Sequence, residues 1–130
     1  DHKTLNYLFY DQAGRYAKNN NGDEALILNP DQTVSETNTC NILMIQDRQV
    51  IVPESPHVLP GVTLEAVVSD LERQGYVAVY KPISARDLAS FPNIFLTNAL
   101  MGVVRVNHVD GKSIVHEKGL YETVNIGVRS

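Results

Sequence analysis

The sequence predicts a single domain of the mixed α/β (α+β) class, with helices flanking a mixed sheet. The chain has 130 residues, which suits one domain with one moderate core, so we assign residues 1–130 to a single domain. Segments with strand patterns alternate with segments with helix patterns, as in α/β and α+β domains. Short turns join neighbouring strand segments into hairpins, and hairpins favour a mixed sheet over a purely parallel one.

The first half of the chain is expected to hold one helix and four strands. The helix is expected over residues 3–18, because apolar residues recur there near helical spacing and the run Asn-Asn-Asn-Gly stops it. Strands are expected over residues 24–29, 33–35, 41–45 and 49–52. The last two of these are joined as a hairpin across residues 47–48.

The second half begins with a proline-rich loop over residues 53–60. A helix is expected over residues 61–74, because Gly75 follows it and glycine is favoured just after a helix. Then come a strand over 76–80, a short helix over 84–90 with Ser84 as its N-cap, and a strand over 93–97. The last expected element is a hairpin of residues 101–109 and 113–116.

Composition argues against several classes of partner and site. The net charge is −4 and basic residues are scattered, whereas nucleic-acid binding needs a concentrated basic patch. No apolar run approaches the roughly 20 residues of a membrane span. The four histidines show no metal-ligand spacing, so we expect no metal site. The single cysteine, Cys40, forms no internal disulfide and suits the cytoplasm.

Glu36 lies among small polar residues between two apolar, β-prone runs, so we expect it at the end of a strand. A carboxylate placed there can hydrogen-bond a protonated ring nitrogen of a cofactor. An acid exposed at a strand end is the equal alternative. Asn41 is expected to bond within the same turn, where asparagine side chains often pair with nearby backbone.

Lys3 is a candidate for covalent chemistry. Its amine can form a Schiff base with an aldehyde if burial or a neighbouring cation keeps it partly neutral. A solvated lysine in a frayed first turn is the commoner situation, since lysines are mostly exposed.

Two segments have the pattern of an anion site. Gly61, Val62 and Thr63 open a helix, where free backbone N–H groups and the positive end of the dipole attract a phosphate. The segment from Thr97 to Gly102, which includes Asn98 and Ala99, follows a strand and can supply further N–H groups. The alternatives are an ordinary helix start and an ordinary exit from a strand. Together with Lys3 and Glu36, these segments point to a pyridoxal-phosphate site.

These motifs resemble the class IV aminotransferases, the fold-type IV family of pyridoxal-phosphate enzymes. The family includes branched-chain aminotransferase, D-amino-acid aminotransferase and 4-amino-4-deoxychorismate lyase. The resemblance rests on segments in the family's order across about residues 1 to 112: residues 2–8, 23–29, 35–42, 59–63 and 95–101. It implies the C-terminal domain of the D-amino-acid aminotransferase-like fold, a mixed sheet or pseudo-barrel with flanking helices.

The resemblance also implies a role for each candidate residue. Lys3 is similar to the family's Schiff-base lysine, which also moves the proton between substrate and cofactor. Glu36 is similar to the partner of the pyridine nitrogen, and Asn41 is counted with the cofactor-binding residues. The residues similar to the family's phosphate contacts, several of them through backbone N–H groups, are Val62, Thr63, Asn98 and Ala99.

The run from Asn98 to Val103 is most similar to the aminodeoxychorismate lyases, and Gly22 is also nearer the lyase pattern. Arg105 departs from the family, which commonly has proline there. The resemblance therefore implies a lyase that releases pyruvate and 4-aminobenzoate, a folate precursor. Three alternatives stay open: a branched-chain or D-amino-acid aminotransferase, a catalytically inactive binding or interaction module, and a natural one-domain protein with an accidental resemblance.

The resemblance covers the family's C-terminal, cofactor-bearing domain and not its N-terminal domain. In the family that domain supplies an arginine to the phosphate, part of the substrate pocket and much of the dimer contact. We therefore expect this chain to be inactive alone. We expect the intact parent to act in the cytoplasm, as a homodimer, on a small-molecule amino substrate. We also expect an exposed apolar face that favours self-association.

Overall fold

The computed structural model describes residues 7–11, 21–37, 40–55 and 61–129. Within those ranges the chain forms nine strands and three helices. In chain order they are β1 Tyr7–Asp11, β2 Asn21–Leu28, β3 Val34–Thr37, β4 Asn41–Gln46, β5 Gln49–Pro53, α1 Val62–Arg73, β6 Val77–Lys81, α2 Ala85–Leu88, β7 Ile94–Asn98, β8 Gly102–Val109, β9 Lys112–Ser113 and α3 Leu120–Arg129.

The strands form one mixed sheet in the order β3-β2-β1-β8-β7-β4-β5-β6, with the short β9 paired to β8. Helix α1 crosses over from β5 to β6, and these two strands are parallel. The other pairs are antiparallel. The predicted mixed α/β class and the hairpins of β4 with β5 and of β8 with β9 are thereby confirmed.

The two ends of the sheet meet, so that the sheet closes into a pseudo-barrel. The backbone N–H of Val34, at the start of β3, donates to the carbonyl of Ile83, two residues after β6, at 2.7 Å. Thr33 and Ser84 form a further antiparallel bridge at the same place. The closure matters because a sheet edge that is paired presents fewer unsatisfied backbone groups to water.

Closure of the sheet produces two apolar cores that share the central strands. Strand β4 shows the division, because successive side chains of a strand point to opposite faces. Ile42 and Met44 belong to the cluster inside the curl. Leu43 and Ile45 belong to the outer cluster, with the buried residues of α1 and α3. Burial of such a side chain contributes about 1.5–3 kcal/mol. The double burial makes β4 a rigid support for whatever lies at its start.

The predicted helix over residues 3–18 is wrong in the part that the structure describes, because residues 7–11 form strand β1. Leu8 is fully buried and Tyr10 nearly so, whereas Tyr7 and Phe9 are 42% and 41% exposed. This is a period of two, and pairing with β2 on one side and β8 on the other selects it over the helix. The same apolar residues also fit helical spacing, so the pattern alone was ambiguous.

The other predicted elements are confirmed, with bounds that agree to within three residues. Helix α3 was not anticipated; it packs against α1 and buries Leu120 and Val124, one turn apart. None of the helices in the described part of the chain is both long enough and apolar enough to cross a lipid bilayer.

Candidate functional site

Helix α1 starts without a side-chain cap. Its N-cap is Gly61, in an extended conformation with φ −75° and ψ 159°, and no side chain among the described residues caps the helix. The first helical bond runs from the Glu65 N–H to the Gly61 carbonyl at 3.0 Å. The N–H groups of the first turn, at Val62 and Thr63, precede that bond, so the helix itself offers them no acceptor. They carry the positive end of the helix dipole.

The turn after β7 is shaped by the side chain of Asn98. Its Oδ1 accepts hydrogen bonds from the backbone N–H groups of Leu100, at 2.7 Å, and Met101, at 2.8 Å. The turn therefore holds Ala99 and Leu100 at the surface, where both are exposed. Because the N–H groups of Leu100 and Met101 are bonded to Asn98, we assign any role of this turn in anion binding to the backbone N–H of Ala99.

The start of α1 and the turn after β7 meet beside the first residue of β4. Asn41 on β4 is the cross-strand partner of Thr97 on β7. A cavity of about 370 Å³ opens between the three segments. It is lined by Asn41, Gly61, Val62, Thr63, Thr97, Asn98, Ala99 and Leu100. The structure thus brings together five of the predicted site residues, namely Asn41, Val62, Thr63, Asn98 and Ala99.

Thr97 also lines this cavity; the sequence pattern includes it as the first residue of the segment after the strand but predicts no role for its hydroxyl. It is only 1% exposed, and its Oγ1 has no hydrogen-bond partner among the described residues. A buried hydroxyl without a partner is costly, so such groups are rare in folded proteins. The signal in the sequence was a hydroxyl at the end of the apolar run Ile94–Leu96.

Gly61 allows the start of α1 to lie against Asn41. A Cβ at position 61 would collide with the Asn41 Oδ1. The backbone of Gly61 is in a region open to any residue, so a larger residue there would act by displacing the Asn41 amide and not by straining the backbone. The close approach keeps the first turn of the helix beside β4.

Glu36 owes its position to a β-bulge. The β2–β3 register pairs Ile27 with Glu36 but Leu28 with Val34, so Ser35 is an extra residue in β3. Without the bulge, Glu36 would share a face with Val34, which is fully buried. With it, Glu36 is half-buried. The carboxylate is thereby kept out of the apolar core.

Hydrogen bonds between Thr37 and Cys40 hold the end of β3 close to the start of β4. The Thr37 Oγ1 donates to the Cys40 carbonyl at 3.1 Å and accepts from the Cys40 N–H at 2.8 Å. Glu36 and Asn41 each stand next to one of these two residues, although Glu36 does not line the cavity. Lys3, the predicted covalent residue, lies outside the described residues.

A second cavity, of about 210 Å³, lies on the other side of Asn41, which lines both. The Ser35 and Ser55 hydroxyls, 3.2 Å apart, line it, and Ser55 also donates to the Asn29 Oδ1 at 3.1 Å. Tyr80 lines it too; burial, followed by the nearby carboxylates of Glu72 and Glu65, raises the pKa of Tyr80. Its hydroxyl therefore stays protonated at neutral pH.

The first cavity contains no charged side chain among the described residues that line it. Its electrostatic character comes instead from the start of α1, with backbone N–H groups and the positive end of the dipole. An anion placed there meets hydrogen-bond donors and no carboxylate. The described lining thus favours an anion such as a phosphate.

Comparison with known proteins finds relatives in sequence and in fold. A branched-chain-amino-acid aminotransferase of Pseudomonas aeruginosa is 29% identical over 92 residues, covering 71% of this chain and 30% of that protein. Two solved structures share the fold. One is 4-amino-4-deoxychorismate lyase from Pseudomonas aeruginosa, with a TM-score of 0.73 and 22% identity over 82% of this chain and 39% of that one. The other is an aminotransferase from Brucella abortus bound to pyridoxal phosphate, with a TM-score of 0.72 and 22% identity over 82% of this chain and 38% of that one.

The chain spans only part of its relatives, between 18% and 30% of the length of several curated proteins that it matches. A model of the family Amino-transferase class IV matches residues 1–109, which is most of the chain. The protein therefore belongs to the class IV aminotransferase family.

Proposed function

We propose that this chain is the cofactor-bearing part of a pyridoxal-phosphate-dependent enzyme, and that the cavity at the start of α1 holds the cofactor's phosphate. One observation carries the proposal: the uncapped start of α1 and the buried Thr97 hydroxyl, which has no partner among the described residues, line the same cavity. Membership of a family with a relative bound to pyridoxal phosphate supports it. When bound, this cofactor supplies an electron sink for negative charge on a substrate carbon.

The described residues fit a phosphate group. The N–H groups of Val62 and Thr63 lie in the uncapped first turn of α1, and the Oγ1 of Thr97 lacks a protein partner among the residues described. A phosphate has only acceptor oxygens at neutral pH, so donors are what it requires. The cavity volume of about 370 Å³ is within the range of small-ligand sites.

Lys3 and Glu36 complete the proposed site. Lys3 would hold the cofactor covalently and carry a proton to and from the substrate carbon. Glu36 would accept a hydrogen bond from the cofactor's ring nitrogen and keep it protonated. The bulge at Ser35 supports this role, because it turns the Glu36 side chain away from the face of the buried Val34.

For the reaction, we propose elimination of pyruvate from aminodeoxychorismate to give 4-aminobenzoate. Lys3 would remove a ring proton, the bond between the ring and the enolpyruvyl oxygen would break, and the released enolpyruvate would become pyruvate as the ring becomes aromatic. The run from Asn98 to Val103, which is most similar to the aminodeoxychorismate lyases, supports the lyase. An aminotransferase acting on branched-chain or D-amino acids is the second candidate, and the relationship to the branched-chain enzyme of Pseudomonas aeruginosa supports it.

The whole protein is proposed to act on a small-molecule amino substrate, as a homodimer, in the cytoplasm. Residues 1–130 would serve in it as the family's C-terminal, cofactor-binding domain. Leu100 and Val62, at the rim of the cavity, are 95% and 82% exposed, which supports a covering partner or domain. We propose that the chain is inactive until that cover is present.

Labelling of Lys3 tests the proposed site. Pyridoxal phosphate is added, the absorbance spectrum is recorded, and the adduct is reduced with borohydride and mapped by peptide mass. The expected result is a new absorbance band and a label on Lys3, lost in Lys3→Arg and kept in the matched control Lys112→Arg. Equal label on Lys81, Lys112 and Lys118 would contradict the proposal.

The products distinguish the two reactions once the site is established. In the whole protein, the lyase predicts 4-aminobenzoate and pyruvate in equal amounts from aminodeoxychorismate, without an added keto acid. The aminotransferase predicts exchange of an amino group between an amino acid and a keto acid, and no 4-aminobenzoate.

A further inference from the structure

Two threonines are buried to the same degree, but their hydroxyls differ in hydrogen bonding. Thr37 and Thr97 are each 1% exposed. The Oγ1 of Thr37 both donates to and accepts from Cys40, so it is fully used. The Oγ1 of Thr97 has no partner within the part of the chain that is described. A valine of nearly the same shape would avoid the cost of an unpaired hydroxyl. The presence of threonine at position 97 therefore suggests that a ligand supplies the hydrogen-bond partner.

The position of Thr97 indicates which ligand. It lines the same cavity as Val62 and Thr63, and it is the cross-strand partner of Asn41. Thr97 is almost fully buried in the lining of the cavity, whereas Val62 and Leu100 are largely exposed at its rim. A group that enters between the rim residues and meets the first turn of α1 therefore approaches Thr97.

We propose that the Oγ1 of Thr97 donates a hydrogen bond to a phosphate oxygen of the cofactor and is a binding residue of this site. The inference rests on the proposed function of the cavity. A hydroxyl has one proton to give, and a phosphate oxygen can only accept it, so the direction of the bond is fixed. Hydrogen bonds to charged groups are stronger than neutral ones, which predicts a tenfold to hundredfold contribution to affinity, on the order of other such bonds.

The hydroxyl should have opposite effects in the free and the bound protein. Without ligand, it is a buried polar group with no partner among the described residues, and replacing it with an apolar group of similar shape should not lower stability. With ligand, its loss should weaken binding. A water molecule bound by Thr97 is the competing explanation. In that case affinity for the phosphate would not depend on the hydroxyl.

The experiment compares pyridoxal phosphate with pyridoxal, which has the same ring and aldehyde but no phosphate. Dissociation constants for both are measured by absorbance titration on the wild-type chain, Thr97→Val and Thr97→Ser. We expect the wild-type chain to prefer pyridoxal phosphate. Thr97→Val should weaken its binding tenfold to hundredfold and leave pyridoxal unchanged, while Thr97→Ser should keep most of the preference.

Thermal unfolding without ligand provides an independent readout, with Thr37→Val as the matched control. Thr97→Val should unfold at the wild-type temperature or above, whereas Thr37→Val, which loses both hydrogen bonds between the Thr37 hydroxyl and Cys40, should unfold at a lower temperature.

The outcomes separate the inference from the proposed function. If the wild-type chain prefers pyridoxal phosphate and Thr97→Val keeps that preference in full, the role of Thr97 is overturned and the phosphate site stands. If the wild-type chain shows no preference for pyridoxal phosphate, or binds neither compound, the phosphate site fails and the role of Thr97 fails with it.

Discussion

Helix α1 begins with an open first turn and ends in a closed set of local contacts. At its start, Gly61 brings no capping side chain, and the first turn borders a cavity. At its end, the Gln74 N–H bonds to the carbonyl of Leu71 at 3.0 Å, and the Gly75 N–H bonds to that of Glu72 at 3.0 Å. Arg48 donates from Nη2 to the Gln74 carbonyl at 2.8 Å.

The difference between the two ends shows where stability and function are divided. Every helix leaves unpaired N–H groups at its start and unpaired carbonyls at its end. Here the end satisfies its carbonyls within the chain, and so it contributes to folding. The start leaves donors for a ligand, at a cost in stability that binding offsets. Changes at the two ends should therefore affect different quantities.

Gly75→Ala, at the closed end of α1, should have the largest effect on stability. Gly75 has φ +98°, and an added Cβ would lie 3.0 Å from the Arg48 Nη2. Strain in the left-handed region costs about 1–2 kcal/mol, and the contact adds to it. We expect the free energy of unfolding, measured by urea titration, to fall by about that amount while the affinity for pyridoxal phosphate is unchanged.

Gly111→Ala is the control for that variant. Gly111 also has a left-handed φ, +83°, but an added Cβ there meets nothing within 4 Å. It should cost less than Gly75→Ala. An equal loss of stability in the two variants would show that the contact between the added Cβ at position 75 and Arg48 does not destabilise the protein.

Arg48→Met should come next. The guanidinium bonds the Gln74 carbonyl and lies 4.1 Å from the centre of the Tyr76 ring. Loss of both interactions should cost about 1 kcal/mol, since methionine retains the packing of the stem. Urea titration measures the loss. A change in cofactor affinity without a change in stability would contradict the assignment of stability to the end of α1 and of binding to its start.

Thr63→Asp should change stability in the opposite direction. An acid in the first turn of α1 complements the dipole and should stabilise the ligand-free chain by about 0.3–1 kcal/mol. The same charge should repel a phosphate and weaken the binding of pyridoxal phosphate. Ser69→Asp, at an exposed position in the middle of the same helix, adds an equal charge and should do neither. Equal affinities in the two variants would argue against a phosphate at the start of α1.

The turn before β3 is, like the end of α1, held by local hydrogen bonds, here between Thr33 and Asp31. A change there should have the smallest effect on stability. Hydrogen bonds from the Thr33 hydroxyl and backbone N–H hold the pKa of Asp31 below its usual 3.8. A lowered pKa in the folded state contributes stability that is complete above pH 3.8 and is lost as pH falls through the lowered value. Asp31→Asn should therefore flatten the pH dependence of thermal unfolding below about pH 4, without changing cofactor binding. If the unfolding temperature of the variant fell with pH as steeply as that of the wild type, this prediction would be contradicted.

Much of the fold followed from periodicity, and the failures have physical causes. Strands β4, β5, β7 and β8 are apolar runs between clear turn residues, so their assignment needed no tertiary information. The helix prediction failed at strand β1 because its apolar residues fit both periods, and only pairing with β2 and β8 decides between them. Helix α3 was missed, although Leu120 and Val124 carry a helical spacing.

The candidate site was predictable as a set of segments and not as a geometry. Helix-start and strand-exit patterns identified Val62, Thr63, Asn98 and Ala99, and the structure places them around one cavity. The bulge that positions Glu36 leaves no mark in a single sequence, because it depends on the register with β2. The role of the Thr97 hydroxyl was not predictable for a similar reason, because its lack of a partner among the described residues depends on its surroundings in the fold.

An NMR titration of the ¹⁵N-labelled chain with pyridoxal phosphate tests the central claim most directly, because it reads both ends of α1 in one experiment. The account predicts large shifts of the Val62, Thr63 and Ala99 amides and almost none at Gln74 and Gly75. Binding that shifts the two ends equally, or that leaves the Val62 and Thr63 amides unchanged, would contradict the assignment of a phosphate to the open end of the helix.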